Sequence, residues 1–321
     1  MKKDRIVFLD AGTVDFGDID WVAIRCLGYF KKYELTKPTE ISKRIRGVPI
    51  VITNKCRFDR AQLCEARDLA CLNISATGTN NVDLKAATRR NIAVTNVPGY
   101  STETMVQSTF AFILALAGRL KSLDQAVHAG AWSRSSFFTL ADPGIREIHG
   151  KTLGILGYGT IGERVAQVAK AFGMRVLIGR IPGRSYSKGE KPKRVSFQTV
   201  IRHADFLTLH TPLTPLTQNL INDRVLGMMK PGAYLINTAR GGIVNESALR
   251  KALVSGHLAG AAVDVLTEEP PPKRHLLFGV RNLLLTPHAA WASREVRRRL
   301  IHEVASNIRA FQRGQRRNRI V

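Results

Sequence analysis

Short apolar runs alternate with amphipathic stretches along the first hundred residues. Residues 6–10, 49–53, 71–75 and 92–97 are brief, mostly aliphatic and bounded by turn formers, which predicts buried strands. Between them, residues 60–67 and 83–90 repeat apolar positions at helical spacing. Strands alternating with helices point to a parallel sheet covered by helices. One long apolar-periodic helix is then expected from Thr102 to about Gly130, placed to separate two lobes.

From Lys151 the alternation restarts. Strands are expected at residues 152–156, 175–179, 205–210, 233–237, 260–265 and 282–286, with helical segments in most gaps. Six strands with crossovers have the size of a complete dinucleotide-binding domain. Residues 293–312 form a last helical pattern before a basic tail, and residues 180–194 read as a polar, basic loop containing Gly and Pro.

The chain has 321 residues, enough for roughly two domains. Hydrophobic residues make up 44% and charged residues 23%, which supports a full core and excludes a disordered chain. Against 25 acidic residues stand 49 Lys and Arg, a net charge of +24, which raises polyanions or phosphorylated ligands as partners. The four cysteines, Cys26, Cys56, Cys64 and Cys71, form no CxxC pair and have no His cluster beside them. They read as buried, reduced thiols, with neither a disulfide framework nor a metal site. The basic start at residues 1–5 precedes an apolar run too short for a signal peptide, and residues 110–117 are too short to span a bilayer. A soluble, cytoplasmic protein is expected.

Gly157-Tyr158-Gly159-Thr160-Ile161-Gly162 sets a G-x-G-x-x-G pattern between an expected strand and an expected helix. Gly157 permits a tight turn, Gly159 lets the backbone approach a pyrophosphate, and Gly162 lets helix and strand pack closely. The helix N-terminus adds amide donors and a favourable dipole. Where the next strand ends, an NAD site carries an acid for the ribose hydroxyls; this chain has Arg180, followed by Arg184, Ser185 and Lys188. Arginine cannot accept from a hydroxyl but pairs with a 2′-phosphate, which favours NADP(H), with NAD(H) as the alternative.

Arg240, Glu269 and His288 each follow an expected strand of the second lobe, at the end where ligands bind in doubly wound sheets. Singly, each has a bland explanation as a surface cation, a loop charge and a satisfied histidine. With their flanks they resemble the D-isomer-specific 2-hydroxyacid dehydrogenases. The matching stretches are Ala76-Thr77-Gly78-Thr79-Asn80-Asn81-Val82-Asp83, Asn96-Val97-Pro98-Gly99, residues 150–162 and His210-Thr211-Pro212-Leu213-Thr214. They continue with Asn237-Thr238-Ala239-Arg240-Gly241-Gly242, Ala262-Val263-Asp264-Val265 and Thr286-Pro287-His288. Ala131-Trp132-Ser133-Arg134-Ser135 and His288-Ala289-Ala290-Trp291-Ala292-Ser293 look most like the glycerate dehydrogenase and hydroxypyruvate/glyoxylate reductase branch.

The resemblance implies an α/β protein of two Rossmann-like lobes with parallel sheets. Residues 1–102 plus 289–321 would be a flavodoxin-like substrate lobe, and 103–288 a doubly wound dinucleotide-binding lobe. It implies hydride transfer between NAD(P)H and a small 2-oxoacid, glyoxylate or hydroxypyruvate being favoured. Arg240 would bind and polarise the substrate, His288 would donate the proton, and Glu269 would orient the imidazole and favour its protonated form. Ala76, Thr77 and Gly78 would hold the substrate carboxylate. Val106, the glycine loop, Arg180, Arg184, His210, Thr211, Pro212, Thr217, Thr238, Ala239, Arg240, Asp264, His288 and Ala290 would contact the cofactor, Asp264 at the nicotinamide carboxamide. A homodimer joined through the cofactor lobe is implied. The competing reading is an NAD(P)-sensing interaction protein on the same fold, like the C-terminal-binding-protein corepressors. The basic tail at residues 313–319 would suit a nucleic-acid partner, but no recognisable nucleic-acid-binding motif is present and none is expected.

Overall fold

The computed structural model describes residues 4–140, 142–187 and 189–321. Lys188 and the first three residues, named above, lie outside them. The chain forms two compact units, Met1–Ser101 with Ala292–Val321, and Thr102–Trp291.

In the first unit, β1 (Asp4–Phe8), β2 (Gly28–Lys32), β3 (Ile50–Thr53), β4 (Cys71–Ile74) and β5 (Ala93–Thr95) form a parallel sheet in the order β2-β1-β3-β4-β5. This is the flavodoxin-like order. Strand β2 was not expected, because it sits at the sheet edge and alternates exposed Tyr29 and Lys31 with better-covered neighbours. Helices α1 (Val22–Arg25), α2 (Ile41–Ile45), α3 (Arg60–Glu65) and α4 (Leu84–Arg89) complete the alternation, and Asp59 caps α3 by accepting from Ala61 and Gln62 amides. The last helix of the chain, Arg294–Gln312, also belongs here: Asn307 donates to the Asn96 carbonyl and Gln312 to Asp4 and the Leu27 carbonyl. Beyond it, Arg319 makes an antiparallel bridge with Thr95 on the β5 edge.

Two cysteine assignments need correction. Cys56 and Cys71 are buried, which pushes both thiols up to about 12, but Cys26 and Cys64 are exposed. Cys64 lies on the outward side of α3 and Cys26 follows α1, positions whose backbone spacing carries no apolar signal.

The second unit opens with α5 (Thr102–Ala117), where a single helix to Gly130 was expected. Arg119 adopts a left-handed conformation (φ 50°) directly after Gly118, breaks the helix, and starts α6 (Leu120–His128). Its side chain pairs with Asp142 at 2.5 Å. The parallel sheet that follows contains β6 (Thr152–Leu156), β7 (Arg175–Gly179), β8 (Phe206–Leu209), β9 (Ala233–Asn237), β10 (Leu258–Val263) and β11 (Leu283–Leu285), ordered β11-β10-β9-β8-β6-β7. Val195 adds one parallel bridge to Gly179, outside β7. Counting that bridge as a residual strand restores the doubly wound order, with its reversal between β6 and β8. The crossover leading to Val195 is the basic loop instead of a helix. Helices α7 (Thr160–Ala171), α8 (Phe197–His203), α9 (Asp223–Met228) and α10 (Glu246–Val254) pack on this sheet. Strands β6, β8, β9 and β10 are buried nearly throughout, as a sheet covered on both faces requires, and the strands at its two ends, β7 and β11, are partly exposed.

Candidate active site

At the reversal point the turn after β6 meets the turn after β8. Gly157 has φ 98°, and a β-carbon there would stand 2.4 Å from the His210 carbonyl, so neither the conformation nor the space admits another residue. A β-carbon on Gly162 would lie 2.2 Å from the Gly157 carbonyl oxygen, which ties α7 closely to the strand. Gly159 differs: no atom lies within 4 Å of its would-be β-carbon. It precedes the first turn of α7 with no side-chain cap, so the helix amides face open space above a smooth backbone. That is a cradle suited to a pyrophosphate. Val106 packs in the core cluster beneath Tyr158 and Ile161.

Around the mouth of the cradle, Thr211 is buried and Thr217 spends its hydroxyl on the Pro212 carbonyl (2.6 Å), bracing the turn. Thr217 therefore shapes the loop through its hydrogen bonds. The His210 ring is bonded to Thr208 Oγ1 at 3.0 Å, and burial pushes its pKa down to about 4. An unfolded chain takes up this proton below about pH 6.5, whereas the folded chain resists it down to about pH 4. Stability is thus full above pH 6.5 and falls as the pH drops through that window. Between pH 7 and 5 the parent should lose about 1–2 kcal/mol more than a His210→Gln variant in urea unfolding, after allowing for partial exposure. Parallel losses would exclude this histidine as the source.

Three loops at the carboxyl ends of neighbouring strands supply the remaining residues. After β9, the Asn237 side chain accepts from the Ala239 amide and donates to the Arg240 carbonyl, folding the chain back sharply. A β-carbon on Gly241 would overlap the Leu266 carbonyl, so this turn abuts the loop after β10. The Arg240 guanidinium donates to the Ala239 carbonyl at 2.7 Å and forms no ion pair among the described residues. Thr238 Oγ1 is buried without a partner there.

Asp264, 2% exposed, directly follows β10 and organises the next loop. Its carboxylate accepts from Thr286 Oγ1, the Ala289 amide and the Ala290 amide, while its carbonyl accepts from the His288 amide. Burial raises its pKa, and the three donors oppose that rise. The expected carboxamide contact gave no hint of this structural duty. The turn holds His288 at φ 53°, a conformation uncommon outside glycine and costly enough to need such bracing. His288 Nδ1 lies 2.7 Å from Glu269 Oε2, and Glu269 Oε1 accepts from the Leu266 amide at 2.9 Å. Both side chains are about one-third exposed.

The sequence reading overlooked Glu246, which accepts from the Thr267 amide at 2.7 Å and from His275 at 3.1 Å, steadying the loop that carries Glu269. It also overlooked Arg194, beside the Arg180 and Arg184 it did single out. Arg180 and Arg184 both stand over the Tyr186 ring, at 5.8 and 5.4 Å.

In the first unit, β4 leads into Ala76, Thr77 and Gly78. The Ala76 carbonyl accepts from the Val97 amide, and Thr77 is tied to residues 96–97 through its hydroxyl and carbonyl. The Thr77 and Gly78 amides have no acceptor among the described residues.

The glycine cradle and the open helix N-terminus are suited to a dinucleotide, and the imidazole–carboxylate pair at the strand ends of the same sheet offers a proton donor, which is what a nicotinamide-dependent oxidoreductase requires. Residues 110–290 match the family model described as D-isomer specific 2-hydroxyacid dehydrogenase, NAD binding domain. The chain belongs to that family and is a D-2-hydroxyacid dehydrogenase that uses a nicotinamide cofactor. It is 36% identical to a glycerate dehydrogenase of Methylorubrum extorquens, covering 98% of both chains. It is 42% identical to a glyoxylate reductase of Aeropyrum pernix, covering 81% of this chain and 78% of that one. Among solved structures, an acyclic imino acid reductase in complex with NADPH and D-Arg superposes with a TM-score of 0.86 at 27% identity, over 99% of this chain and 100% of that one. These relatives bear enzyme names, and the corepressor-like alternative is not favoured. No helix among the described residues is long and apolar enough to cross a membrane.

Proposed function

We propose that the enzyme reduces a small 2-oxoacid, glyoxylate or hydroxypyruvate, to the corresponding 2-hydroxyacid with NADPH as the preferred reductant. The observation that carries the chemistry is the 2.7 Å contact between His288 and Glu269. It engages Nδ1 and leaves Nε2 as the proton-donating nitrogen. The bound nicotinamide supplies the hydride. Arg240 binds the substrate and stabilises negative charge as it grows on the ketone oxygen. His288 then protonates that oxygen, and Glu269 holds the imidazole in the required tautomer. The amides of Thr77 and Gly78 are suited to the substrate carboxylate. Arg180, at the strand end where a ribose acid would otherwise stand, supports the NADPH preference, with Arg184 beside it.

A steady-state panel of 2-oxoacids with NADPH and NADH in parallel tests the reading. The expected result is turnover of glyoxylate and hydroxypyruvate ahead of bulkier acids. NADPH should lead by about ten- to a hundredfold in kcat/KM, the range of a charge-assisted guanidinium–phosphate bond. Preference for a bulky 2-oxoacid, or for NADH, overturns the corresponding half of the proposal.

The reading extends to a homodimer in the cytoplasm. Leu120, Val127, Trp132, Phe137, Phe138 and Ile145 are exposed apolar side chains within one stretch of the second unit, Phe138 to 93%. Trp132 Nε1 donates to the Phe138 carbonyl, so the loop is ordered while its rings face outward. A second copy would cover them; a species of 35.5 kDa in sedimentation would remove that part of the reading. Four free cysteines accord with a reducing compartment.

A further inference from the structure

The basic loop after β7 contains a cation that the reading above does not use. The Arg194 side chain is only 9% exposed, and its Nε is buried without a hydrogen-bond partner. Its guanidinium lies 5.1 Å from the centre of the Tyr186 ring and 5.7 Å from that of Tyr158, the residue inside the glycine motif. Tyr186 is fixed in turn, because its hydroxyl accepts from the Ile181 amide at 2.8 Å. Arg180, Arg184 and Arg194 therefore share one aromatic ring beside the glycine loop.

Among the described residues, one carboxylate pairs with Arg194, and none pairs with Arg180 or Arg184. Glu190 Oε1 accepts from Arg194 Nη2 at 2.7 Å, and Glu190 is the more exposed partner, at 32% against 9%. A buried guanidinium that keeps an unused donor, held by a single more exposed carboxylate, is matched below its capacity. Arginine presents five donors, and a phosphate offers three acceptor oxygens with nearly twice the charge of a carboxylate. A phosphate arriving at this cluster therefore competes favourably for the same guanidinium.

We propose that Arg194 is the anchoring cation of a subsite for the adenosine 2′-phosphate, and that Glu190 is its internal stand-in, displaced when the phosphate binds. This rests on the NADPH reading and deepens it. In that arrangement Arg180 and Arg184, the exposed cations, attract and flank the phosphate, whereas Arg194 connects it through Tyr158 to the glycine loop. The Glu190 contact also lowers affinity for phosphate-bearing ligands, so its removal acts in the opposite direction to removal of the arginine.

The experiment is calorimetric titration of the full-length protein with 2′,5′-ADP and 5′-AMP, which differ only in the 2′-phosphate. The variants are Glu190→Gln, Arg194→Lys and Arg194→Gln. The parent should bind 2′,5′-ADP more tightly than AMP. Glu190→Gln should widen that ratio by about two- to fivefold, the range of a partly exposed ion pair. Arg194→Gln should shrink it by about tenfold, leaving the remainder to Arg180 and Arg184, and Arg194→Lys by less. A ratio that is unchanged or narrowed in Glu190→Gln overturns the stand-in role. An Arg194→Gln variant that still discriminates as the parent does, or that weakens both ligands equally, makes the arginine a structural prop. If the parent itself does not distinguish the two ligands, the NADPH reading fails and this inference falls with it. If the parent discriminates and only the variants disagree, the inference fails alone.

Discussion

Replacing His288 by asparagine should lower kcat for 2-oxoacid reduction by about 10²- to 10⁴-fold, with cofactor affinity nearly unchanged. Asparagine suits the test because the backbone at this position is left-handed, at φ 53°, and asparagine is among the few residues other than glycine that adopt that conformation readily. The Asp264 contacts to the neighbouring amides should survive, so the variant removes the imidazole without releasing the turn. A β-branched residue would confound the two effects. Cofactor binding, read by fluorescence titration, separates chemistry from folding. Activity within a few-fold of the parent would remove His288 from the proton transfer.

Arg240→Ala should be nearly as severe, with a loss of about 10²–10³ in kcat/KM, the range for removing a preorganised donor from a developing oxyanion. Arg240→Lys should fall between alanine and the parent, because a lysine keeps the charge but loses the planar fork that engages carboxylate and carbonyl together. The surrounding turn is held by Asn237 and by the close approach of Gly241 to Leu266, and the guanidinium adds one bond to the Ala239 carbonyl, so both variants should fold. KM should rise and kcat should drop together if the same group binds and polarises. A rise in KM alone would confine Arg240 to binding, and an alanine variant as active as the parent would end its role.

Much of this site was legible because it is built from local backbone requirements. Gly157 and Gly162 are dictated by contacts with His210 and with Gly157 itself, so their spacing is visible in the sequence. The three strand-end residues were visible because each stands shortly after the end of an apolar strand of the second unit. What escaped depends on contacts distant along the chain or on single bonds. Glu246 acts on Thr267, and nothing near residue 246 announces it. Arg194 looked like one charge in a polar loop, and only the fold shows it buried beside Tyr158. The helix break at Arg119 was hidden because apolar periodicity continues through it, although the backbone reverses hand there. Edge strand β2 was missed because half of its side chains face solvent.

The return of the chain to the first unit has a consequence for the order of synthesis. Residues 102–291 are contiguous and contain a whole sheet with its helices, so this unit can close while later residues are still being made. The first unit cannot. Its β1 strand and the Leu27 carbonyl await Gln312, its Asn96 carbonyl awaits Asn307, and its β5 edge awaits Arg319 and its neighbours. On the ribosome the unit begun earlier is therefore completed later, and during the intervening translation its uncovered apolar face and open strand edge are the surfaces a chaperone would have to shield.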